Sequence, residues 1–163
     1  MEPPFLLAYA YLEQSMEKQV EVTVSAIIFN SKHEVLLCQS SKWNNQWVIP
    51  GGHVEYSEKL EDALKREVLE ETGLNVRDIS IASLQESIDS DSFHQPRHML
   101  FIDYFCNTDE VDVQLNDEAD RFEWVDLDRI LSYDLGGFLP QLFDQIVNKK
   151  AQFTQPLLYG YAN

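Results

Sequence analysis

Residues Gly52–Leu74 read GHVEYSEKLEDALKREVLEETGL and carry the strongest structural signal in the chain. Apolar side chains recur here every three or four residues, the spacing that places them on one face of an α-helix. These apolar residues are Leu60, Ala63, Leu64 and Val68. The pattern predicts one helix from roughly residue 58 to residue 72, with Ser57 as its N-cap and Gly73 as its C-cap.

The inward face of this predicted helix becomes acidic halfway along. At about 100° per residue, Glu67 and Glu71 fall within the apolar sector, and Glu70 lies at its edge. Three neighbouring carboxylates are costly to bury, even in part, unless something cancels their charge. Mg²⁺ or Mn²⁺ would do so, because both ions prefer carboxylate oxygens and keep positions for water and substrate phosphates. The alternative is an ordinary acidic helix face in contact with solvent.

Two further features flank the glutamates. Arg66 could pair with one of the three carboxylates or with Glu58, two turns earlier, and so fix the conformation of its partner. Upstream, the Pro-Gly-Gly segment at residues 50–52 allows the backbone to come close to a neighbour. The carbonyl group of Gly51 could therefore complete the shell of a bound cation.

The whole segment resembles the Nudix box, G-x5-E-x7-R-E-U-x-E-E-x-G-U, in which U is an aliphatic residue. Every specified position matches, and the matching residues are Gly52, Glu58, Arg66, Glu67, Val68, Glu70, Glu71, Gly73 and Leu74. The wider resemblance to MutT-like Nudix hydrolases covers about residues 19–133. It includes the strand pair before the box, the Pro-Gly-Gly lead-in and the later Trp124-Val125-Asp126-Leu127 segment.

This resemblance implies both a fold and a chemistry. The fold class would be α/β (α+β): a Nudix-type α/β/α sandwich with a mixed β-sheet and the box as a loop-helix-loop. The three glutamates would bind Mg²⁺ or Mn²⁺ with the Gly51 carbonyl, Arg66 and Glu58 would form a supporting ion pair, and Gly52 and Gly73 would support the box structurally. The activity would be metal-dependent hydrolysis of a pyrophosphate bond in a nucleoside diphosphate linked to a moiety X, by attack of water on phosphorus.

Several residues are candidates for the base that deprotonates the attacking water. Glu67 comes first because it lies within the acidic triad, and Glu118 is the leading candidate outside the box. His94 and His98 follow. The alternatives are a solvated loop acid at position 118 and structural or merely exposed histidines.

Substrate contacts are predicted outside the box. Lys42 and Trp43 lie shortly before the Pro-Gly-Gly segment, and Arg97 and His98 lead into a predicted strand. A cation beside an aromatic ring could bind a phosphate and stack a base. We expect a small nucleotide as substrate, either a nucleoside triphosphate or a nucleotide sugar. The alternatives are a catalytically silent Nudix nucleotide-binding or regulatory module and, third, a protein that processes mRNA ends or other nucleic acid.

The rest of the chain predicts the secondary structure around the box. Residues 20–29, 34–39, 47–49, 79–84, 98–106 and 121–125 have strand patterns, and residues 127–131 and 139–147 have short helical ones. Both faces of segment 98–106 are mostly apolar, which predicts a central strand. We assign residues 1–17 to an N-terminal extension, 18–150 to the hydrolase domain and 151–163 to a C-terminal tail. The extension would cover an apolar surface on its own domain or across a possible homodimer.

The composition restricts the expected partners and location. The sequence holds 28 acidic and 12 basic side chains, for a net charge of −16, so long nucleic acid is not an expected partner. Cys38 and Cys106 lie in apolar runs and are expected to be buried free thiols, as in a reducing cytoplasm. The apolar run at residues 5–12 is too short to span a bilayer. We therefore expect a soluble, cytoplasmic protein that does not bind a membrane.

Overall fold

The computed structural model describes residues 19–89 and 96–148, together with the backbone of Tyr159–Ala162. The predicted extension at residues 1–17 lies outside the described residues. So do His94 and most of the predicted tail at residues 151–163.

The described residues form one mixed sheet of eight strands. These are β1 (Val20–Phe29), β2 (Glu34–Ser40), β3 (Gln46–Val48), β4 (Gly51–His53), β5 (Arg77–Ile88), β6 (His98–Asn107), β7 (Arg121–Asp126) and β8 (Tyr159–Ala162). Their order is β3-β2-β1-β6-β5-β8, with β4 also paired to β1 and β7 to β2. The β1–β6 and β5–β8 pairs are parallel and the other pairs antiparallel. β6 lies between β1 and β5, which confirms its predicted central position.

Helices cover both faces of this sheet. Helix α1 (Leu60–Thr72) packs on one face and helix α2 (Leu139–Asn148) on the other, next to a 3-10 helix at Leu127–Ser132. Successive side chains of a strand point to opposite faces, so β1 supplies both cores. The α1 core contains Val24, Ala26, Ile28, Ala63, Leu64 and Val68, and the α2 core contains Ile27, Ala82, Leu142 and Phe143. Among the described residues, no helix is long and apolar enough to cross a membrane.

The predicted N-cap of helix α1 is wrong, whereas the predicted C-cap is confirmed. Ser57 has φ +66°, and the helix begins at Leu60 after Lys59, whose side chain makes no capping hydrogen bond. A turn in which the N–H of Glu58 donates to the carbonyl of Glu55 delays the start of the helix. At the other end Gly73 has φ +72°, the left-handed conformation that favours glycine.

The Pro-Gly-Gly segment leads into a short strand that the sequence did not predict. Gly51–His53 is the short strand β4, which pairs with Thr23–Ser25 of β1. The N–H of Ala26 donates to Pro50 and the N–H of Val54 to the carbonyl of Val22, so the hydrogen bonds of β1 continue past both ends of β4. Residues 50–54 therefore adopt an extended conformation because the edge of β1 supplies their backbone with hydrogen-bond partners.

The C-terminal tail contributes a strand that the sequence did not predict. The backbone of Tyr159–Ala162 pairs in parallel with β5 at Leu84–Ser87. These four residues are short for a strand, and their contact with β5 is separated by about seventy positions along the chain, so no local pattern indicates it.

Both cysteines are buried free thiols, as predicted. Burial, together with the smaller effect of the nearby Glu71 carboxylate, raises the pKa of Cys38 to about 12. Burial alone raises the pKa of Cys106 to about 12. Both side chains therefore act as apolar parts of the α1 core.

Replacing Leu64 by Ala should destabilise the protein strongly. Leu64 is fully buried between helix α1 and the sheet, and truncating such a residue costs about 2–5 kcal/mol. Leu69 on the same helix is 49% exposed, and its replacement by Ala should change the free energy of unfolding by less than about 0.5 kcal/mol. Urea unfolding of the two variants measures both values. Equal losses would contradict the packing of α1 described here.

Candidate active site

Arg66 ties together the loop before helix α1 and the acidic residues on it. Its Nε and Nη2 atoms donate to the two carboxylate oxygens of Glu58, at 2.9 and 2.8 Å. Nη2 also donates to the carbonyl of His53 at 3.1 Å, and Nη1 donates to Glu67 at 2.7 Å. A bidentate guanidinium–carboxylate pair fixes direction as well as distance. Both pairings predicted as alternatives for Arg66 are therefore present, one with Glu58 and one with Glu67 of the acidic triad.

The environment of Glu58 strongly favours its charged form. The hydrogen bonds from Arg66, together with the weaker effect of the one from the N–H of Glu55, lower the pKa of Glu58 to about 2. The same contacts with Glu58 and Glu67 raise the pKa of Arg66. The pair therefore remains charged throughout the range in which a protein works.

The carboxylate of Glu67 lies directly against the backbone of Gly52. A methyl group at Gly52 would fall 2.5 and 2.6 Å from the two carboxylate oxygens, closer than any real contact of this kind. The glycine of the box therefore leaves room for this position of Glu67, and a larger residue would displace the carboxylate. This is a steric reason that the sequence pattern alone did not give.

Glu71 is the acidic residue with the most unusual environment. One carboxylate oxygen accepts a hydrogen bond from the N–H of Gly51 at 3.1 Å. Burial nevertheless raises the pKa of Glu71 to about 7, and the neighbouring charges of Glu67 and Glu118 also raise it, whereas Gly51 and Lys42 lower it. The site therefore carries negative charge that its own residues only partly compensate.

The three glutamates do not converge on one point. Glu67 is turned towards Arg66, and Glu70, whose side chain is 57% exposed, lies 3.6 Å from the same guanidinium. Among residues 19–89 and 96–148, no three Asp, Glu, His or Cys side chains are gathered as they would be around a metal ion. The donor atoms and the uncompensated charge at Glu71 fit a hard divalent cation. Gathering them would require their carboxylates to move, and Glu67 can keep one oxygen on Arg66 while the other binds an ion.

The segment after β6 brings Glu118 to the end of helix α1. The N–H of Gln114 donates to the carbonyl of Thr72, and the N–H of Asn116 donates to the carbonyl of Glu71. Asn116 then accepts from the N–H of Glu118 at 2.8 Å. These contacts explain why the charge of Glu118 acts on Glu71, 47 positions earlier in the chain.

Lys42 forms an ion pair with Glu118 at this end of helix α1. Its Nζ lies 2.8 Å from Glu118, and both side chains are about half exposed. Lys42 belongs to a 3-10 helix (Ser41–Trp43) that is held by Asp120, whose carboxylate accepts from the N–H of Ser41 at 2.8 Å. The sequence does not single out Asp120, because nothing in the acidic run around it distinguishes one carboxylate from another. Trp43 is 49% exposed beside this ion pair.

The other two predicted substrate residues lie elsewhere. Arg97 pairs with Glu21 at 3.2 Å, and the same carboxylate contacts the ring of His53 at 2.9 Å. His98 pairs with Glu86 at 2.7 Å. The structure therefore brings Lys42 and Glu118 to the box glutamates, whereas the contacts of Arg97 and His98 are with other acids at the start of β1 and on β5.

Comparison with known proteins agrees with this geometry. A family profile for the NUDIX domain matches residues 20–146. The nucleoside triphosphatase NudI of Salmonella schwarzengrund (strain CVM19633) is 32% identical over 110 residues, which cover 61% of this chain and 78% of that protein. The 8-oxo-dGDP phosphatase NUDT18 of Danio rerio is 40% identical over 74 residues, which cover 44% of this chain and 23% of that protein.

Solved structures show the same fold. The MutT protein of Methanosarcina mazei Go1 has a TM-score of 0.67 and 29% identity, and the match covers 85% of this chain and 100% of that one. The NUDIX domain of Shewanella oneidensis NrtR, solved with ADP ribose, has a TM-score of 0.68 at 21% identity, with 93% and 100% covered. A mixed sheet between helices with a complete acidic box defines the class, and the chain belongs to the Nudix hydrolase family.

Replacing Glu71 by Gln should stabilise the metal-free protein at neutral and basic pH. Folding raises the pKa of this carboxylate from 4.5 to about 7. Below pH 4.5 it is protonated in both the folded and the unfolded chain and does not lower the free energy of unfolding. Between the two values the unfolded chain loses its proton first, so the penalty grows and reaches about 3 kcal/mol above pH 7. Glutamine removes the charge and can still accept from Gly51.

Urea unfolding in the presence of a chelator, at about pH 4 and about pH 8, measures this effect. The gain in the free energy of unfolding should be large at the higher pH and close to zero at the lower one. Glu70→Gln is the matched control, because Glu70 is exposed and its change should stay below about 1 kcal/mol at both pH values. An equal gain in the two variants would contradict the special environment of Glu71.

Proposed function

We propose that this protein is a divalent-metal-dependent pyrophosphohydrolase that acts on a nucleoside diphosphate linked to a moiety X, such as a nucleoside triphosphate or a nucleotide sugar. The complete box supports this proposal, because a module that only binds nucleotides has no need of every acidic residue. The observation that carries it is the partly buried carboxylate of Glu71 beside Glu67 and Glu118, with a pKa raised to about 7. Negative charge held this way is what a cation would neutralise.

Glu67, Glu70, Glu71 and the carbonyl of Gly51 would hold Mg²⁺ or Mn²⁺. Bound there, the ion would neutralise pyrophosphate oxygens, favour ionisation of a water and stabilise the charge that builds up at phosphorus. The protein's own part is to hold the acids in place. Arg66 fixes Glu67 and the loop before the helix, and Glu58 fixes Arg66.

Lys42 and Trp43 would contact the substrate. Lys42 adjoins the acidic group through its ion pair with Glu118, and its flexible chain can reach a phosphate oxygen. Trp43 offers a half-exposed ring beside it for stacking. Arg97 and His98 are less direct candidates for contact with the substrate. Each pairs with an acidic residue outside the box, Arg97 with Glu21 and His98 with Glu86.

Glu67 and Glu118 remain the two leading candidates for the general base, since His94 lies outside the described residues and His98 pairs with Glu86. Glu67 accepts a hydrogen bond from Arg66 and lies against Gly52, which leaves little room for a water on that side. Glu118 is 53% exposed and within the electrostatic reach of Glu71. We therefore place the proton acceptor at Glu118 and give Glu67 the role of ligand.

Replacing Glu70 by Gln should lower turnover by about a hundredfold or more, the scale of losing one major electrostatic element of a site. The fold should survive, because this side chain is exposed. Phosphate or pyrophosphate release from a panel of nucleoside triphosphates and nucleotide sugars, with and without Mg²⁺, measures the change. Glu61→Gln, on an exposed position of the same helix, is the control and should keep full activity. Metal-independent release, or an active Glu70→Gln variant, would refute the ligand assignment.

Replacing Glu118 by Gln tests the base. If Glu118 accepts the proton, the variant should lose most of its kcat, and the acidic limb of its pH–rate profile should disappear or move. A merely solvated acid would leave that profile as it was. Lys42→Met separates the two roles at this ion pair, because loss of a phosphate contact should raise KM while the acidic limb stays in place.

A further inference from the structure

The sheet face that packs against helix α2 changes from apolar to polar along its central strands. Towards the end of β1 this face carries Ile27 and Phe29, which pack with Phe105 of β6. One step earlier, the register aligns Ser25 of β1 with Asp103 of β6 and Asp103 with Ser83 of β5. Three adjacent strands thus place polar side chains side by side where a core would be apolar.

Asp103 is the centre of this polar row. Its side chain is almost completely buried, with the residue 4% exposed. One carboxylate oxygen accepts from the hydroxyl of Ser25, and the other accepts from the hydroxyl of Ser83 and from Nε2 of Gln85, the latter at 2.8 Å. All three donors are neutral, and no basic side chain of the described residues pairs with Asp103. Holding a buried carboxylate without a cation lowers the stability of the fold. Such a group is therefore a candidate for a functional role.

The row keeps hydrogen-bonding capacity that the described residues do not use. A carboxylate oxygen can accept two hydrogen bonds, and the Asp103 oxygen that binds Ser25 accepts only that one among these residues. Ser87 follows Ser83 and Gln85 on the same side of β5. It is 1% exposed, and its hydroxyl has no hydrogen-bond partner within the described part of the chain. Buried polar groups left this way are uncommon and call for a ligand or a water.

The row lies beside the candidate active site and is open on one side. Ser25 is the register partner of Gly51, whose N–H holds Glu71. Ser25 is only partly buried, as are Thr23 and Phe101 next to it on the same face. The ring of Phe101 stands 5.6 Å from that of Phe138 and provides an aromatic wall. This open edge lies one strand away from Gly51, so a nucleotide with its phosphates at the glutamates could reach it.

We propose that Asp103, with Ser25, Ser83 and Gln85, determines substrate specificity by accepting hydrogen bonds from an amino group of the nucleobase. This inference rests on the proposed function and names the part of the substrate that these residues read. A carboxylate is a natural acceptor for the exocyclic amino groups of cytosine, adenine and guanine. It repels the carbonyl oxygen that replaces the amino group of cytosine in uracil and that of adenine in hypoxanthine. Where hypoxanthine lacks the amino group of guanine, the carboxylate meets a C–H and loses a hydrogen bond. The other role open to the row is to hold the three strands together.

Binding of nucleoside monophosphates tests the proposal without any need for hydrolysis. Titration calorimetry in a chelator compares pairs that differ in one group: CMP with UMP, AMP with IMP and GMP with IMP. The wild-type protein should bind the amino-bearing member of at least one pair about tenfold more tightly or better. Asp103→Asn, which has nearly the same shape but can donate, should lose or reverse that preference. Asp112→Asn, at an exposed position, is the matched control.

Two further measurements keep the outcomes distinct. Manganese binding by Asp103→Asn should match the wild type, because the row is not part of the acidic group on α1. If Asp103→Asn does not fold, Ser25→Ala, at the open edge, should reduce the preference instead. The proposal is overturned if the wild-type protein does not discriminate within any pair, or if the variants discriminate as well as the wild type. The row would then be a purely structural network. Selective binding without any cleavage of nucleotides would overturn the proposed function and leave this inference standing.

Discussion

The position of Arg66 is the constraint on which the candidate site depends. A single guanidinium binds the side chain of Glu58, the backbone of His53 and the carboxylate of Glu67. It therefore fixes the loop before helix α1 to the middle of that helix. Without it, the loop that carries the Gly51–Gly52 backbone and the helix that carries the glutamates would be joined by the chain, by apolar packing and by the hydrogen bond from the N–H of Gly51 to Glu71. The planar, bidentate geometry of arginine makes it suitable for this task in a way that lysine is not.

Charge gives the site its second constraint. The chain carries a net charge of −16, and around Glu71 this excess is concentrated in three carboxylates, with one lysine and one backbone N–H as partial compensation. Arg66 is already committed to Glu58 and Glu67. Keeping Glu71 partly buried near two like charges therefore lowers the stability of the protein. A bound cation would restore that stability. This is the usual relation between a strained electrostatic arrangement and a functional site.

The register of β1 relates the two polar regions of the molecule. β1 pairs with β4 on one side and with β6 on the other, so Gly51, Ser25 and Asp103 lie in one line across the sheet. The acidic residues of α1 are at one end of this line, and the polar row of β5 and β6 is at the other. The same three hydrogen-bonded strands thus set the distance between the part of a nucleotide that would react and the part that would be recognised.

The local patterns of the sequence were sufficient for the helix of the box, most strands and the Arg66–Glu58 pair, since these depend on residues close together in the chain. They failed at Ser57, where a turn and the use of Glu58 by Arg66 override the usual N-cap preference. They also missed β4 and β8, whose backbone hydrogen bonds come from distant strands.

By itself, the sequence determined that carboxylates lie on the inner side of one helix, because helical periodicity is a local property. Only the tertiary structure decided which of them is buried, which meets Arg66 and which acid arrives from the segment after β6. Burial and approach between residues 20 to 80 positions apart depend on how the sheet is paired, and that pairing has no local signature.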